Sequence, residues 1–156
     1  MDQPTLEHPQ FGVPEFGFEH KDRPCAFGVA VRFGRVAVVH VGHPGEDRHY
    51  DLPGGALDEG ESEAEALVRE FGEETGLIVE AGPLLARADQ FTVKRASGRP
   101  VNNRSAFFVA EVVGRAPGLK IEADHTLVWL RPEYAFRRLR HPSHAYAVGA
   151  WLRARP

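Results

Sequence analysis

Residues 55–77 read GALDEGESEAEALVREFGEETGL, and this stretch predicts the most clearly marked helix of the chain. Ser62 and Glu65 stand three residues apart as a capping box, in which each side chain accepts a hydrogen bond from the other residue's backbone amide. Gly76 follows the last helical turn, where glycine commonly ends a helix because it tolerates positive φ. The pattern therefore predicts a helix over residues 62–75.

This predicted helix carries a group of carboxylates beside an apolar stripe. The stripe has helical spacing and consists of Ala64, Leu67, Val68 and Phe71. Glu70, Glu73 and Glu74 fall within about 100° of arc on the adjoining side. Like charges this close raise one another's pKa values and cost stability unless a cation neutralises them. Oxygen ligands without His or Cys favour Mg²⁺ or Mn²⁺, and Arg69 is placed to orient a carboxylate. The alternative is a solvated acidic helix face.

The charge of the chain is unevenly distributed. Its 156 residues have a formal net charge of −3, with 42% hydrophobic and 26% charged residues, which excludes wholesale disorder. Nine of the 22 acidic residues lie between Asp58 and Glu80, where Arg69 is the sole base. The overall balance argues against a general nucleic-acid or membrane-surface binder. A single cysteine, Cys25, excludes an internal disulfide and fits a reducing compartment, so we expect a cytoplasmic protein without a membrane span.

Organisation along the chain predicts one domain over residues 25–156, preceded by an extended N-terminal arm over residues 1–24. Strand-like segments dominate the middle of the chain, with helices after Gly55 and at the C-terminus, so we expect an α+β or α/β sandwich with a mixed sheet. The predicted strands are Cys25–Phe33, Arg35–Val41, His49–Leu52, Leu77–Val79, Leu84–Lys94, Arg104–Val113 and His125–Leu130. The predicted C-terminal helices cover residues 132–139 and 142–154.

The acidic stretch resembles a known family signature at every fixed position. It follows the Nudix box, G-x5-E-x7-R-E-U-x-E-E-x-G-U, in which U is a bulky apolar residue. The matching residues are Gly55, Glu61, Arg69, Glu70, Phe71, Glu73, Glu74, Gly76 and Leu77. Phe71 stands where the family usually has Ile, Leu or Val. The resemblance identifies the chain as similar to the Nudix hydrolases and implies their α/β/α sandwich.

The resemblance also implies an activity and a ligand set. Nudix hydrolases cleave a nucleoside diphosphate linked to another group and use Mg²⁺ or Mn²⁺. By this likeness, the metal ligands are Glu70, Glu73, Glu74 and the backbone carbonyl of Gly55. Glu70 is our first candidate for the general base, Glu73 the second, and Arg69 supports the catalytic carboxylates. Glu61 either binds a further ion or steadies the start of the helix, where an acid is also favoured by the helix dipole.

Candidates outside the box rest on weaker patterns. Glu122 and Asp124 precede a late predicted strand, as an additional acid does in similar enzymes; either could be a further metal ligand or a solvated loop acid. Phe91, Phe107 and Trp129 could stack on a nucleobase, although alternating aromatics on strands are more often core residues. One or two cations around the later strands could contact phosphate: Arg87, Lys94, Arg95, Arg99 and Arg104.

The substrate follows from elimination within the resemblance. Val93 stands where members that act on ADP-ribose carry a proline, and no tyrosine lies nearby to indicate dinucleoside polyphosphates. We therefore expect a (d)NTP or an oxidised dNTP, cleaved to NMP and pyrophosphate. An ADP-ribose or nucleotide-sugar diphosphatase is the alternative enzyme, and a non-catalytic Nudix-fold binding module is the alternative class. The expected partner is this small molecule, without nucleic acid or membrane, and a homodimer stays open.

Overall fold

The computed structural model describes residues 8–155, so residues 1–7 of the predicted N-terminal arm and Pro156 lie outside the described residues. The strands are β1 (Gln10–Phe11), β2 (Lys21–Val29), β3 (Val31–Arg32), β4 (Arg35–Val41), β5 (His49–Asp51), β6 (Gly54–Ala56), β7 (Leu77–Val93), β8 (Pro100–Arg115) and β9 (His125–Leu130). The α-helices are α1 (Glu63–Thr75), α2 (Pro132–Arg138) and α3 (Pro142–Ala154), and a 3₁₀ turn covers Pro117–Leu119.

The strands form two sheets. The larger has the order β1-β7-β8-β2-β6, in which β2 runs parallel to β8 and β1 parallel to β7, while the other pairs are antiparallel. In the smaller sheet β4 pairs with β3, β5 and β9. The mixed sheet predicted from the sequence is confirmed.

Helices cover opposite faces of the strands because successive strand residues point in opposite directions. On β2, Cys25, Phe27 and Val29 belong to the core shared with α2 and α3. Ala26 of the same strand and Ala30 just beyond it belong to the core shared with α1. The arrangement is the expected α/β/α sandwich. In it, α1 packs against the strands, including β6, which carries Gly54 and Gly55.

The bounds of α1 agree with the prediction, but part of its predicted apolar stripe is wrong. Leu67 and Phe71 are fully buried, whereas Ala64 is exposed and Val68 is 39% exposed. The buried face instead continues through Ala66 toward the C-terminal end of the helix. Sequence hydropathy misplaced the face because polar site residues, rather than apolar ones, occupy part of the inward-facing side.

Several predicted strand bounds also need correction. Leu77–Val79 and Leu84–Lys94 form one strand, β7, whose pairing to β8 continues past Gly82 and Pro83 through shifts of register. A β-bulge accommodates these two residues within the ladder, although both usually break strands. Gly54–Ala56, which lies outside the predicted strands, forms β6 against β2. Strand β2 begins at Lys21, four residues before its predicted start.

The described part of the N-terminal arm is joined to the larger sheet. Gln10 and Phe11 pair in parallel with Asp89 and Gln90 of β7. The Gln10 amide also donates to the side-chain oxygen of Asn102 at 3.0 Å. Within residues 8–155, none of the helices has the length and apolar character needed to cross a lipid bilayer.

Candidate functional site

Helix α1 is held at both ends in the way its sequence predicts. Ser62 Oγ accepts from the Glu65 amide, and a Glu65 carboxylate oxygen accepts from the Ser62 amide, both at 3.1 Å. Gly76 ends the helix at φ 74°, a left-handed conformation that favours glycine. These caps fix the start and end of the helix and so fix which way its three clustered glutamates face.

The glycines before the box lie against two of these glutamates. The Gly54 amide donates to Glu74 Oε1 at 2.8 Å. A Cβ atom at Gly55 would lie only 2.8 Å from the carboxyl carbon of Glu70, so a larger residue there would displace that carboxylate. Strand β6 therefore brings its backbone into close contact with the carboxylates of Glu70 and Glu74.

Arg69 joins the box residues into one network. Its Nε and Nη2 atoms donate to the two oxygens of Glu61 at 2.8 and 2.9 Å. Its Nη1 atom donates to Glu70 at 3.0 Å and to Glu73 at 3.1 Å, and Nη2 also donates to the Ala56 carbonyl at 3.0 Å. The Arg69 hydrogen bonds hold the pKa of Glu61 below its usual range. One guanidinium thus orients three carboxylates and the loop that precedes the helix.

Glu74 connects the helix to the last strand. Its carboxylate is 6% exposed, and Oε2 lies 2.9 Å from His125 Nε2. His125 Nδ1 lies 2.8 Å from Asp124, which also accepts from Arg95. Burial raises the pKa of Glu74 in spite of these partners. Burial lowers the pKa of His125, but the carboxylates of Glu74 and Asp124 outweigh it and raise that pKa to about 9.

The loop before β9 is anchored to the same helix. The Glu73 carbonyl accepts from the amides of Ile121 and Glu122 at 2.9 and 3.0 Å. This contact brings Glu122 and Asp124 to the carboxylate end of α1. Glu122 raises the pKa of Glu70 by charge repulsion, although burial of Glu70 is the larger cause of that rise.

These elements enclose a cavity of about 660 Å³, which we call the carboxylate cavity. Its lining includes both acids and cations. The lining residues are Arg23, Gly54, Gly55, Glu70, Glu74, Lys94, Arg95, Ala96, Glu122, Asp124 and His125. This juxtaposition suits a polyanion whose charge is shared between protein cations and a bound metal ion.

The donor set of the carboxylate cavity fits a hard divalent cation. Glu70, Glu74, Glu122 and Asp124 line it together, and four carboxylates cannot all stay ionised at low energetic cost unless a cation is shared among them. Within residues 8–155, one group of three residues has ligand atoms within 4.8 Å of one another, namely Glu122, Asp124 and His125. Both His125 nitrogens face carboxylates, so oxygen atoms remain the available ligands.

Not every predicted site residue lines this cavity. Glu73 and Glu61 lie beside it in the Arg69 network, and neither is among the lining residues. Phe107 has no exposed surface and packs against Phe27 with ring centroids 5.6 Å apart, so its predicted stacking on substrate is wrong. An aromatic on an inner strand joined the core, as the alternative interpretation held.

The other two predicted aromatics lie outside the carboxylate cavity. The Phe91 ring packs edge-on against His20 at 5.1 Å. Trp129 lines a separate surface depression with Arg32, Phe33 and Arg35. Neither is among the residues that line the carboxylate cavity, so their predicted roles gain no support from its geometry.

Sequence reasoning missed two residues of the site and left two others unresolved. His125 and Arg23 line the cavity, and no sequence pattern assigned a role to either of them. Lys94 and Arg95 stood among five undifferentiated cations. No local pattern marks these residues, because they reach the site through pairing of β2 with β8 and through the turn between β7 and β8.

The fold and the site define a class of protein: an α/β/α sandwich in which a capped, glutamate-rich helix faces a cation-lined cavity. The model of the NUDIX domain matches residues 22–152, and the chain belongs to this family of hydrolases. The resemblance noted in residues 55–77 is thereby confirmed.

Individual relatives agree with the family assignment. The chain is 32% identical over 114 residues to the RNA pyrophosphohydrolase of Sphingopyxis alaskensis, covering 66% of this chain and 71% of the relative. A NUDIX hydrolase from Nitrosomonas europaea superposes with a TM-score of 0.72 at 20% identity, covering 85% of this chain and 90% of that one. A MutT protein from Methanosarcina mazei has a TM-score of 0.67 at 19% identity, with 88% and 97% covered. The two structural likenesses show a shared fold.

Proposed function

We propose that this chain is a divalent-cation-dependent pyrophosphohydrolase that cleaves a phosphoanhydride bond of a nucleoside 5′-polyphosphate. The observation that carries the proposal is the carboxylate cavity itself. Glu70, Glu74 and Glu122 line it together with Arg23 and Lys94. A polyphosphate chain needs this combination, because its own negative charge has to be neutralised before a nucleophile can approach phosphorus.

The metal ion would be held by oxygen ligands of the box. We assign Glu73, Glu74 and the Gly55 carbonyl to this role, and Glu70 to the base. Glu74 already accepts from the Gly54 amide and contacts His125, so the ion would take the place of the His125 contact. Mg²⁺ is the expected ion and Mn²⁺ the alternative. When bound, the ion neutralises phosphate charge and lowers the pKa of a coordinated water.

Glu122 is a better candidate than Asp124 for the additional ligand. Both oxygens of Asp124 have partners, His125 on one and Arg95 on the other. Within the described residues 8–155, the Glu122 carboxylate has no hydrogen-bond or ion-pair partner. Its charge also acts on Glu70. An unpartnered carboxylate at an acidic site is available to a cation without breaking any existing bond.

Glu70 is suited to accept a proton from the attacking water. Burial raises its pKa, which makes the carboxylate a stronger base than a solvated glutamate. Arg69 donates to Oε1 of Glu70 and so fixes the carboxylate while leaving Oε2 free of that bond. Arg23, Lys94 and Arg95 would neutralise the phosphate oxygens and the departing phosphate group. Glu61 acts through Arg69, as a positioning residue.

We infer two substrate candidates that share this chemistry. The first is a nucleoside triphosphate, including an oxidised dNTP, cleaved to NMP and pyrophosphate. The second is the 5′-triphosphate end of an RNA, favoured by the 32% identity to a relative named RNA pyrophosphohydrolase. An ADP-ribose or nucleotide-sugar substrate would use the same cavity but would present one diphosphate and no terminal phosphate.

A turnover panel tests the proposal. The full chain is incubated with (d)NTPs, 8-oxo-dGTP, a 5′-triphosphorylated oligoribonucleotide, ADP-ribose and a UDP-sugar, each with Mg²⁺, Mn²⁺ or EDTA. We expect metal-dependent release of pyrophosphate from a triphosphate substrate and none in EDTA. Preferred cleavage of ADP-ribose would replace the substrate assignment, and no turnover of any compound under any metal would overturn the proposed activity.

A further inference from the structure

A second cavity of about 660 Å³ opens beside the carboxylate cavity, and we call it the basic groove. It lies between the start of β2, the turn that joins β7 to β8, and the residues that follow β6. Its lining residues are Glu19, Lys21, Asp22, Arg23, Pro24, Ala56, Leu57, Lys94, Ser97, Arg99, Pro100 and Val101. Its volume falls within the range of small-molecule sites, roughly 300–1,000 Å³.

The basic groove adjoins the carboxylate cavity. Arg23 and Lys94 line both of them. Ala56, whose carbonyl accepts from Arg69, is among the groove residues. The outer cations of the groove therefore lie next to cations that also serve the carboxylate cavity.

The cations of the groove are gathered by strand pairing. Lys21 and Arg23 are two residues apart on β2 and so point to the same face. Lys21 lies opposite Val101 of β8. The turn between β7 and β8 is closed by a hydrogen bond from the Lys94 amide to the Arg99 carbonyl at 2.8 Å, which places these two residues side by side.

Most of these cations have no acidic partner. Within residues 8–155, the side chains of Lys21, Lys94 and Arg99 make no hydrogen bond or ion pair. Some arginines elsewhere in the chain are paired with acids, as Arg87 is with Glu63 at 2.8 Å and Arg140 with Asp51 at 3.1 Å. The groove is therefore a place where positive charge collects without internal compensation.

The two acids of the groove do not neutralise this charge. Asp22 is engaged by Arg104 at 3.2 Å. Glu19 stands alone against Lys21, Arg23, Lys94 and Arg99. Repulsion among neighbouring cations is relieved when an anion binds between them, and phosphate oxygens are well suited to accept from both ammonium and guanidinium groups.

The floor of the groove is less polar. Pro24, Leu57, Pro100 and Val101 contribute apolar surface to it. The groove therefore offers cations for a phosphate together with apolar surface for a sugar or a base. This combination suits a nucleotide that carries a phosphate group beyond the one that is cleaved.

We propose that the basic groove binds a second phosphate group of the substrate, attached beyond the nucleoside whose polyphosphate is cleaved, through Lys21 and Arg99. The inference rests on the proposed function and adds a substrate requirement to it. Such a phosphate belongs either to the first internucleotide linkage of a 5′-triphosphorylated polynucleotide or to a small nucleotide phosphorylated on its ribose. Both sources present the same anion to the groove.

Three substrates separate these possibilities. They are a nucleoside triphosphate, the same compound with a 3′-phosphate, and the 5′-triphosphorylated dinucleotide. We expect the wild-type chain to show a KM at least tenfold lower for one or both of the latter two than for the plain triphosphate. A lower KM for both compounds indicates that the groove recognises the phosphate alone. A lower KM for the dinucleotide only indicates a polynucleotide substrate. Equal KM values for all three would overturn the proposal.

Charge removal at the groove provides the second arm. In the double variant Lys21→Gln with Arg99→Gln, we expect KM for the preferred doubly phosphorylated substrate to rise at least fivefold, with kcat and the KM of the plain triphosphate unchanged. Arg115→Gln removes one positive charge, against two in the double variant, from the opposite end of β8 and is the control, expected to change neither constant. An unchanged KM in the double variant, or an equal rise with every substrate, would contradict the inference.

Binding without turnover keeps this inference separate from the proposed activity. Calorimetric titration of the dinucleotide in EDTA measures the groove contribution while the metal-dependent reaction is suppressed. Tighter binding of the dinucleotide than of the triphosphate, lost in the double variant and kept in Arg115→Gln, supports the groove even if no hydrolysis is found. If an active enzyme bound the two compounds equally, the proposed hydrolase activity would stand and the proposed phosphate site in the groove would be overturned.

Discussion

The carboxylate of Glu74 and the imidazole of His125 lie 2.9 Å apart. This contact joins the C-terminal half of the box helix to the first residue of β9, across 51 residues of sequence. The other Glu74 oxygen accepts from the Gly54 amide at 2.8 Å. A single buried carboxylate therefore connects three of the chain segments that line the carboxylate cavity, namely β6, α1 and β9.

Replacing His125 tests how much this contact stabilises the fold. In His125→Gln, we expect the free energy of unfolding to fall by about 2 kcal/mol, because Glu74 loses its charged partner while staying buried. Urea unfolding at neutral pH in EDTA measures the difference without metal. His43→Gln is the control, since His43 is exposed, and it should change stability by less than about 0.5 kcal/mol. An equal loss in both variants would mean that the Glu74–His125 contact adds nothing.

Glu70→Gln tests the general base. The amide keeps the size of the side chain but cannot accept a proton, so we expect kcat to fall by about 10²-fold or more while KM changes little. Steady-state kinetics with the preferred triphosphate provides the measurement, and circular dichroism checks the fold. Glu80→Gln, an exposed acid outside the site, should retain wild-type kcat. Retained activity in Glu70→Gln would move the base elsewhere.

The comparison of Glu122→Gln with Asp124→Asn tests which loop acid binds the metal ion. Because the Glu122 carboxylate is unpartnered among residues 8–155 and Asp124 is bonded by His125 and Arg95, we expect Glu122→Gln to weaken Mn²⁺ binding about tenfold. Asp124→Asn should weaken it less. Mn²⁺ titration followed by electron paramagnetic resonance measures the free ion directly. The reverse order would assign the ligand to Asp124.

Arg69→Lys separates charge from geometry in the box network. Lysine keeps the positive charge but cannot reach Glu61, Glu70 and the Ala56 carbonyl together, as the guanidinium does. We expect kcat to drop about tenfold and the free energy of unfolding to fall by about 1–2 kcal/mol. Arg87→Lys, which alters the Glu63 pair on the same helix, serves as the comparison and should leave kcat unchanged. Full activity in Arg69→Lys would show that charge alone suffices.

Stability should fall in acid because of buried histidine. His144 is 2% exposed, and its Nδ1 accepts from the Leu52 amide at 3.1 Å. Burial lowers the pKa of His144 to about 3 and that of His141 to about 4. Between these values and the ordinary pKa near 6.5, the unfolded chain binds more protons than the folded chain. We therefore expect the free energy of unfolding to decrease as pH falls below 6.5, by up to about 1.4 kcal/mol per pH unit for each histidine.

His144→Asn provides the check on this pH dependence. Asparagine offers an oxygen near the position of Nδ1, so the bond from Leu52 can be kept, but it does not titrate. Urea unfolding at pH 7, 6 and 5 should show a shallower loss of stability in the variant than in the wild-type chain. Identical pH dependence in the two proteins would assign the acid sensitivity to other groups.

Local sequence patterns predicted the fold well where the residues of the pattern themselves make the stabilising interaction. The capping box and Gly76 determine the ends of α1, and Pro132 and Pro142 occupy the first positions of α2 and α3 as predicted. The predicted strand Arg35–Val41 is also confirmed as β4, which pairs with β3 across Gly34. By contrast, Gly82 and Pro83 suggested a break in β7, because strand pairing with β8 is not visible in the local sequence.

The sequence by itself determined the family, the catalytic helix and the spacing of its carboxylates, since a helix of known start converts residue spacing directly into direction. Only the tertiary structure decided which groups face those carboxylates. The cavity is lined by His125 of β9, Arg23 of β2 and Lys94 of the β7–β8 turn. Phe107, in contrast, is buried in the core. These placements depend on the register between strands that are distant in sequence. The packing of the whole sandwich sets that register, so the residues next to each position do not reveal it.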